Sequence, residues 1–131
     1  MLRSIGAIFA GLLFIFVTHT GTDALLEGMG IFPPPGQPLF DTSLLLLASV
    51  YRGIFSIIGC YLVACLAPHH PMRHALILGS IGMLLSTAGA MAMWDYGPAW
   101  YPLSLIALSV PYAWLGGRLN EMRRTASPQT E

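Results

Sequence analysis

The chain has 131 residues, of which 55% are hydrophobic and 9% are charged, and its mean hydropathy is +0.67. Soluble proteins carry roughly 25% charged residues, and so short a chain buries too little of its surface to hide this apolar excess from water. Six arginines balance six acidic residues, so the charge does not indicate a nucleic acid as partner. The composition predicts a single domain embedded in lipid.

Four long apolar segments follow one another along the chain, at about residues 4–27, 42–67, 73–94 and 99–119. A membrane-spanning helix needs about 20 mostly apolar residues to cross about 30 Å of hydrocarbon, and each segment is long enough. The polar–apolar alternation of a membrane β-barrel is absent. The predicted fold is an all-α, integral membrane four-helix bundle over residues 1–124, followed by a disordered tail over 125–131.

The first segment begins like a signal peptide, because Arg3 precedes an uncharged apolar run. No pattern of small residues forms a cleavage site after it, so we expect a first membrane helix. Its second half carries His19, Asp23 and Glu27 at intervals of four residues. This spacing places the three ionisable side chains on about one face of the helix.

The second segment combines a single charge, Arg52, with a stripe of small residues. Lipid gives apolar helices no hydrophobic reason to associate, so close helix packing depends on such residues. Similar small residues occur on the other three segments. We expect these faces to meet within the bundle, or alternatively to mediate a homo-oligomer. The small residues are Ser49, Gly53, Ser56, Cys60 and Ala64, then Gly82, Ser86 and Ala90, then Ala113 and Gly117, and on the first segment Ala7 and Gly11.

The arginines outside the segments predict the orientation in the membrane. They precede the first segment, lie between the second and third, and follow the fourth, whereas the other two connections contain acids and no arginine. The positive-inside rule therefore puts both termini in the cytoplasm. Aromatic residues flank the outer connection at 95–98 and predict an interfacial belt there. These residues are Trp94, Tyr96, Trp100 and Tyr101.

Ionisable residues are expensive within a membrane and usually face a partner or a cavity. His19 and Arg52 each lie about 22 Å from the inner boundary of their segments at 1.5 Å rise per residue. Asp23 lies one turn above His19, within reach of an extended arginine. The sequence thus predicts one polar layer, formed by His19, Asp23, Glu27, Tyr51 and Arg52.

Several roles fit this layer. The layer could hold a structural Arg52–Asp23 pair, form a binding or translocation site, or carry out catalysis. A metal is not predicted, because a guanidinium opposes a cation and the other helices offer no ligands. Haem is not predicted either, because it would need facing histidines inside the bundle and only His19 lies there. The cytoplasmic His69, His70 and His74 are expected to be ordinary loop residues.

Four stretches of the chain resemble an uncharacterised group of small bacterial four-helix integral membrane proteins. The stretches are 21–26 (GTDALL), 32–38 (FPPPGQP), 72–79 (MRHALILG) and 114–118 (WLGGR). The resemblance implies a bacterial inner membrane and carries over no catalytic residue or cofactor. The favoured hypothesis is a non-enzymatic binding or accessory protein whose partners are membrane lipids. A small transporter or channel is the alternative, and an intramembrane enzyme is third.

Overall fold

The computed structural model describes residues 2–34 and 37–126, and this part of the chain forms four long helices and no strand. A short 3₁₀ turn, Trp94–Tyr96, precedes the last helix. The predicted all-α fold is therefore confirmed. The helices are α1 (Leu2–Gly28), α2 (Thr42–Leu66), α3 (Pro71–Ala92) and α4 (Trp100–Ala126).

Local residue chemistry explains where α2 and α3 begin. The Asp41 side chain accepts a hydrogen bond from the Leu44 backbone N–H at 3.2 Å, as a helix N-cap does. Helix α3 begins at Pro71, two residues earlier than predicted, because proline lacks an N–H that the first turn leaves unpaired anyway. The preceding His70 is left-handed, with φ of 48°, and turns the chain between α2 and α3.

The end of α4 differs from the prediction. The sequence predicted a helix ending at about residue 119 and a disordered tail over 125–131. Helix α4 instead continues to Ala126. An ion pair at 3.1 Å between Arg118 and Glu121 spans one turn and supports this polar extension. The last five residues of the predicted tail lie outside the described part of the chain.

Within the described residues, α1, α2 and α3 are the helices that are both long and apolar enough to cross a membrane. Helix α4 is long enough, but serines and Pro111 interrupt its apolar run. The outer surface is strongly apolar: Phe9 is 64% exposed, Leu84 69% and Met91 79%. A surface with this many exposed apolar side chains fits lipid better than water.

The bundle has two ends, which we name by what they carry. The termini end carries the start of α1, the α2–α3 turn and the end of α4. The loop end carries the α1–α2 and α3–α4 connections, which are joined by a 2.7 Å hydrogen bond from the Leu39 N–H to the Tyr96 carbonyl. Helix α4 packs mainly on α3 and α2, whereas α1 packs mainly on α2 and less on α3.

Small residues bring the helices together toward the termini end. A Cβ on Gly116 of α4 would lie 2.7 Å from the Ile57 carbonyl oxygen of α2, and a Cβ on Gly11 of α1 would lie 3.1 Å from the Gly59 carbonyl oxygen. The predicted small faces of α1, α2 and α4 thus pack within the chain. The buried core there consists of Ala7, Cys60, Val63, Ala64, Ala75, Leu78 and Ala113.

Helix α3 behaves differently toward the loop end. A Cβ on Gly82 would meet no atom within 4 Å, and the same holds for Gly89. The small face predicted on α3 at Gly82, Ser86 and Ala90 therefore packs only in part, because Ala90 is buried whereas Gly82 approaches no other helix. Gly82 and Ser86 border open space instead.

Candidate functional site

The centre of the polar layer links α1 to α2. The Tyr51 hydroxyl donates to one carboxylate oxygen of Asp23, and the Arg52 guanidinium donates to the other. The Asp23 and Arg52 side chains are 27% and 26% exposed, so this ion pair is largely shielded. The guanidinium also lies 5.9 Å from the centre of the Tyr51 ring. The structure thus brings together Asp23, Tyr51 and Arg52, three of the five predicted site residues.

His19 lies one turn before Asp23 on α1 and contacts the backbone of α2. Its Nε2 is 3.2 Å from the Arg52 carbonyl oxygen. Because a carbonyl only accepts, this nitrogen donates and carries the proton. The ring is also 6.4 Å from that of Phe55. His19 therefore fixes α1 against α2 through the main chain, a contact that spacing in the sequence did not indicate.

Glu27 is the fifth predicted residue and stands apart from this network. It lies one turn beyond Asp23, in the last turn of α1, and is partly buried. Within the described residues it forms no ion pair. Its carboxylate borders the same cavity as Asp23 and Arg52.

That cavity has a volume of about 800 Å³ and lies between the four helices toward the loop end. Its wall is mainly apolar, with the polar layer on one side. Tyr96 and Tyr101, predicted for an interfacial belt, also line it, whereas Trp94 and Trp100 do not and are 46% and 39% exposed. The residues that line it include Phe9, Leu13, Phe16, Asp23, Glu27, Tyr51, Arg52, Leu85, Tyr96 and Tyr101.

A smaller cavity of about 70 Å³ adjoins the polar layer on its termini side. Its volume corresponds to about two water molecules. Hydroxyl groups from three helices line it. The sequence predicts Ser56 and Ser86 only as small packing residues and does not single out Ser109. The lining is His19, Arg52, Ser56, Ser86, Leu105, Ser109 and Tyr112. On α2 and α4 the sequence signal was a hydroxyl residue one turn from another lining residue, as with Arg52 and Ser56 or Ser109 and Tyr112.

Two other groups of residues, the histidines of the α2–α3 region and the two cysteines, carry side chains of metal-ligating types. Over the described ranges, no three His, Cys, Asp or Glu side chains come together as a metal site. His74 was predicted in the α2–α3 loop but lies in the first turn of α3, where its Nδ1 donates to the His70 carbonyl oxygen at 3.0 Å. Cys60 and Cys65 are both free thiols.

The arrangement offers a long apolar cavity with a few fixed polar groups, which is the usual composition of a small-molecule site. Comparison with protein-family models, curated proteins and solved structures finds no match to this chain. The function therefore has to be argued from the site itself.

Proposed function

We propose that this chain is a multi-pass protein of the bacterial inner membrane that binds an amphipathic small molecule without transforming it. In this proposal all four helices cross the bilayer and both termini are cytoplasmic. The five arginines outside α2 belong to the termini end, as the positive-inside rule requires of a cytoplasmic face. The packing of α4 on α2 and α3 supports a fourth crossing.

The single observation that carries the binding function is the cavity of about 800 Å³. Small-molecule sites are typically about 300–1,000 Å³ and combine apolar walls with a few placed polar groups. The Asp23–Tyr51–Arg52 network supplies those groups on one wall. A tightly packed structural bundle would have no reason to keep so large a cavity, because close packing stabilises it.

The lipid phase is the proposed route of entry. Phe9, Leu13 and Phe16 of α1 line the cavity and yet are 64%, 51% and 64% exposed. Leu85 of α3 combines the same two properties, at 56% exposure. Apolar side chains that are both exposed and lining indicate an opening between α1 and α3, which pack on each other less than α1 and α2 do.

The other hypotheses have less support. A transporter needs a path to the termini end, where Val63, Ala64 and Ala75 are 0% exposed. Catalysis would call for a reactive group at the cavity, but the Asp23 carboxylate already has two partners and His19 contacts a backbone carbonyl. A homo-oligomer through the small faces of α1, α2 and α4 would have to use faces that these helices employ within the chain.

Filling the cavity tests the binding function. In lipid nanodiscs, a hexadecanol analogue with a diazirine on its chain is crosslinked by light, and adducts are mapped by mass spectrometry. We expect adducts at Phe16 and Leu85 that excess hexadecanol suppresses. Gly82→Leu should reduce these adducts several-fold, because its side chain enters open space in the cavity.

Gly21→Leu is the matched control, since a Cβ there also meets no atom within 4 Å and Gly21 does not line the cavity. Adducts that hexadecanol fails to suppress, or that Gly82→Leu leaves unchanged, would contradict the proposal. The orientation is checked by labelling cysteines introduced at His69 and Asp95 from outside the cell. Reaction at His69, or at both sites, would reject it.

A further inference from the structure

The charged groups lining the large cavity do not balance. Two acidic residues, Asp23 and Glu27, line it together with a single arginine, Arg52. Arg52 and Asp23 form an ion pair, and Tyr51 occupies the other oxygen of Asp23. Glu27 is therefore the one cavity-lining charge of the described residues that has no charged protein partner. The lining of the cavity therefore carries one negative charge that no positively charged side chain balances.

The position of Glu27 is unfavourable for the folded protein by itself. It lies in the last turn of α1, and no basic residue accompanies it there. The C-terminus of a helix carries a partial negative charge, so a carboxylate in that turn is repelled and a cation is attracted. A cation bound beside Glu27 would be stabilised both by the carboxylate and by the end of the helix.

Aromatic rings add to the preference for a cation. Tyr96 and Tyr101 line the same cavity as Glu27, as does Phe32 from the α1–α2 connection. Ammonium groups are attracted to the faces of such rings, and quaternary ammonium ligands are commonly held in this way. An anionic head group would instead meet two carboxylates and a guanidinium that is already paired.

The shape of the cavity describes the rest of the ligand. Along α1 its lining extends from Phe9 to Glu27, a rise of about 27 Å at 1.5 Å per residue. A volume of about 800 Å³ spread over that length describes an elongated space, which suits an extended hydrocarbon chain better than a compact ligand.

We propose that the ligand is a single-chain amphiphile with an ammonium head group, held with its head at Glu27 and its chain along Phe16, Leu13 and Phe9. This inference rests on the binding function proposed above. It assigns Glu27 the selection of the head group, while the Asp23–Arg52 pair shapes the wall beside it.

Competition for the crosslinking site tests the inference. Hexadecyltrimethylammonium, hexadecanol and palmitate share a chain length and differ in charge, and each competes with the diazirine alcohol in nanodiscs of neutral lipid. We expect the ammonium compound to compete about tenfold more strongly than hexadecanol, as one charge-assisted contact would provide. Palmitate should compete least.

The variant Glu27→Gln should remove the advantage of the ammonium compound over hexadecanol. Asp95→Asn is the matched control, because it removes an exposed acid at the loop end that does not line the cavity. Equal competition by all three compounds, stronger competition by palmitate, or an advantage that survives Glu27→Gln would each overturn this inference while leaving the binding function intact. A failure of hexadecanol to compete in the unsubstituted protein would overturn both.

Discussion

The two ends of the bundle use similar residues to opposite effect. Toward the termini end, Gly11, Gly59 and Gly116 allow helices to approach until a single added Cβ would collide with a neighbouring helix. Toward the loop end, Gly82 and Gly89 of α3 approach nothing within 4 Å. A small residue therefore permits close packing, but the residues opposite decide whether packing occurs.

The residues opposite differ in size and polarity. Where the bundle is closed, α2 presents Gly59 and Cys60. Where it is open, α2 presents Tyr51 and Arg52, whose long side chains reach across to Asp23 on α1. These polar side chains line the cavity, so the bundle is open where α2 carries large polar residues and closed where it carries small ones.

A pair of glycine-to-alanine variants gives the sharpest contrast between the ends. Gly116→Ala places a Cβ 2.7 Å from both the Ile57 carbonyl oxygen and the Tyr61 nitrogen of α2. Since backbone must move to relieve this overlap, we expect a loss of about 3 kcal/mol in the free energy of unfolding. Gly82→Ala should instead be neutral or stabilise by about 0.5 kcal/mol, because it gains helix propensity without a clash.

Steric trapping in bicelles measures both values under one condition. The contrast depends on their difference in sign rather than on either value alone. An equally small change in the free energy of unfolding for both variants would contradict the close approach of α4 to α2 at Gly116.

The polar layer supplies the next largest effect. Arg52→Ala should cost about 2 kcal/mol, because it leaves the Asp23 carboxylate with Tyr51 as its remaining partner. This is below the roughly 3–5 kcal/mol of a fully buried pair, since about a quarter of each side chain is exposed. Combined with Asp23→Asn in a double-mutant cycle, it should give a coupling energy of about 1 kcal/mol.

The exposed pair at the termini end provides the reference for this cycle. Arg118 and Glu121 are 55% and 42% exposed, and their coupling should not exceed about 0.5 kcal/mol. If the two cycles gave equal coupling energies, the polar layer would add no more to stability than a surface pair.

The sequence predicted the helices and the Arg52–Asp23 contact because both depend on position along a helix axis. Hydrophobic length fixes each helix, and the equal depth of His19 and Arg52 placed Asp23, one turn above His19, within reach of the arginine. The direction in which a residue faces depends on rotation about that axis, which spacing alone does not fix. For this reason the sequence predicts Tyr101 in an interfacial belt and Gly82 on a packed face. Both residues instead line the cavity.

Asn120 was missed for a related reason. It lies among charged residues that end the apolar run of α4, so hydropathy marks it as exposed. It nevertheless follows Ala113 and Gly116 by seven and four residues, on the buried face of the helix, and is 0% exposed. Helical spacing from a known packed glycine was the signal that could have found it.

Asn120 is also the exception to apolar packing at the termini end, and its replacement by leucine should change the free energy of unfolding only slightly. Its Nδ2 donates to the Cys65 sulfur at 3.1 Å, and its Oδ1 accepts from no group in the described part of the chain. Sulfur is a weak acceptor, and an unpaired buried oxygen costs more than one weak bond returns. Asn120→Leu should therefore stabilise the protein by less than about 1 kcal/mol in the same assay.

Asn120→Ala is the companion variant. It removes the same oxygen but leaves a void between α2 and α4, so it should destabilise where leucine stabilises. That opposition in sign would mean that shape, and not the amide, holds the termini end closed. Destabilisation by both variants would mean instead that the amide has a polar partner, and the closed end of the bundle would then resemble the open end in depending on a buried polar contact.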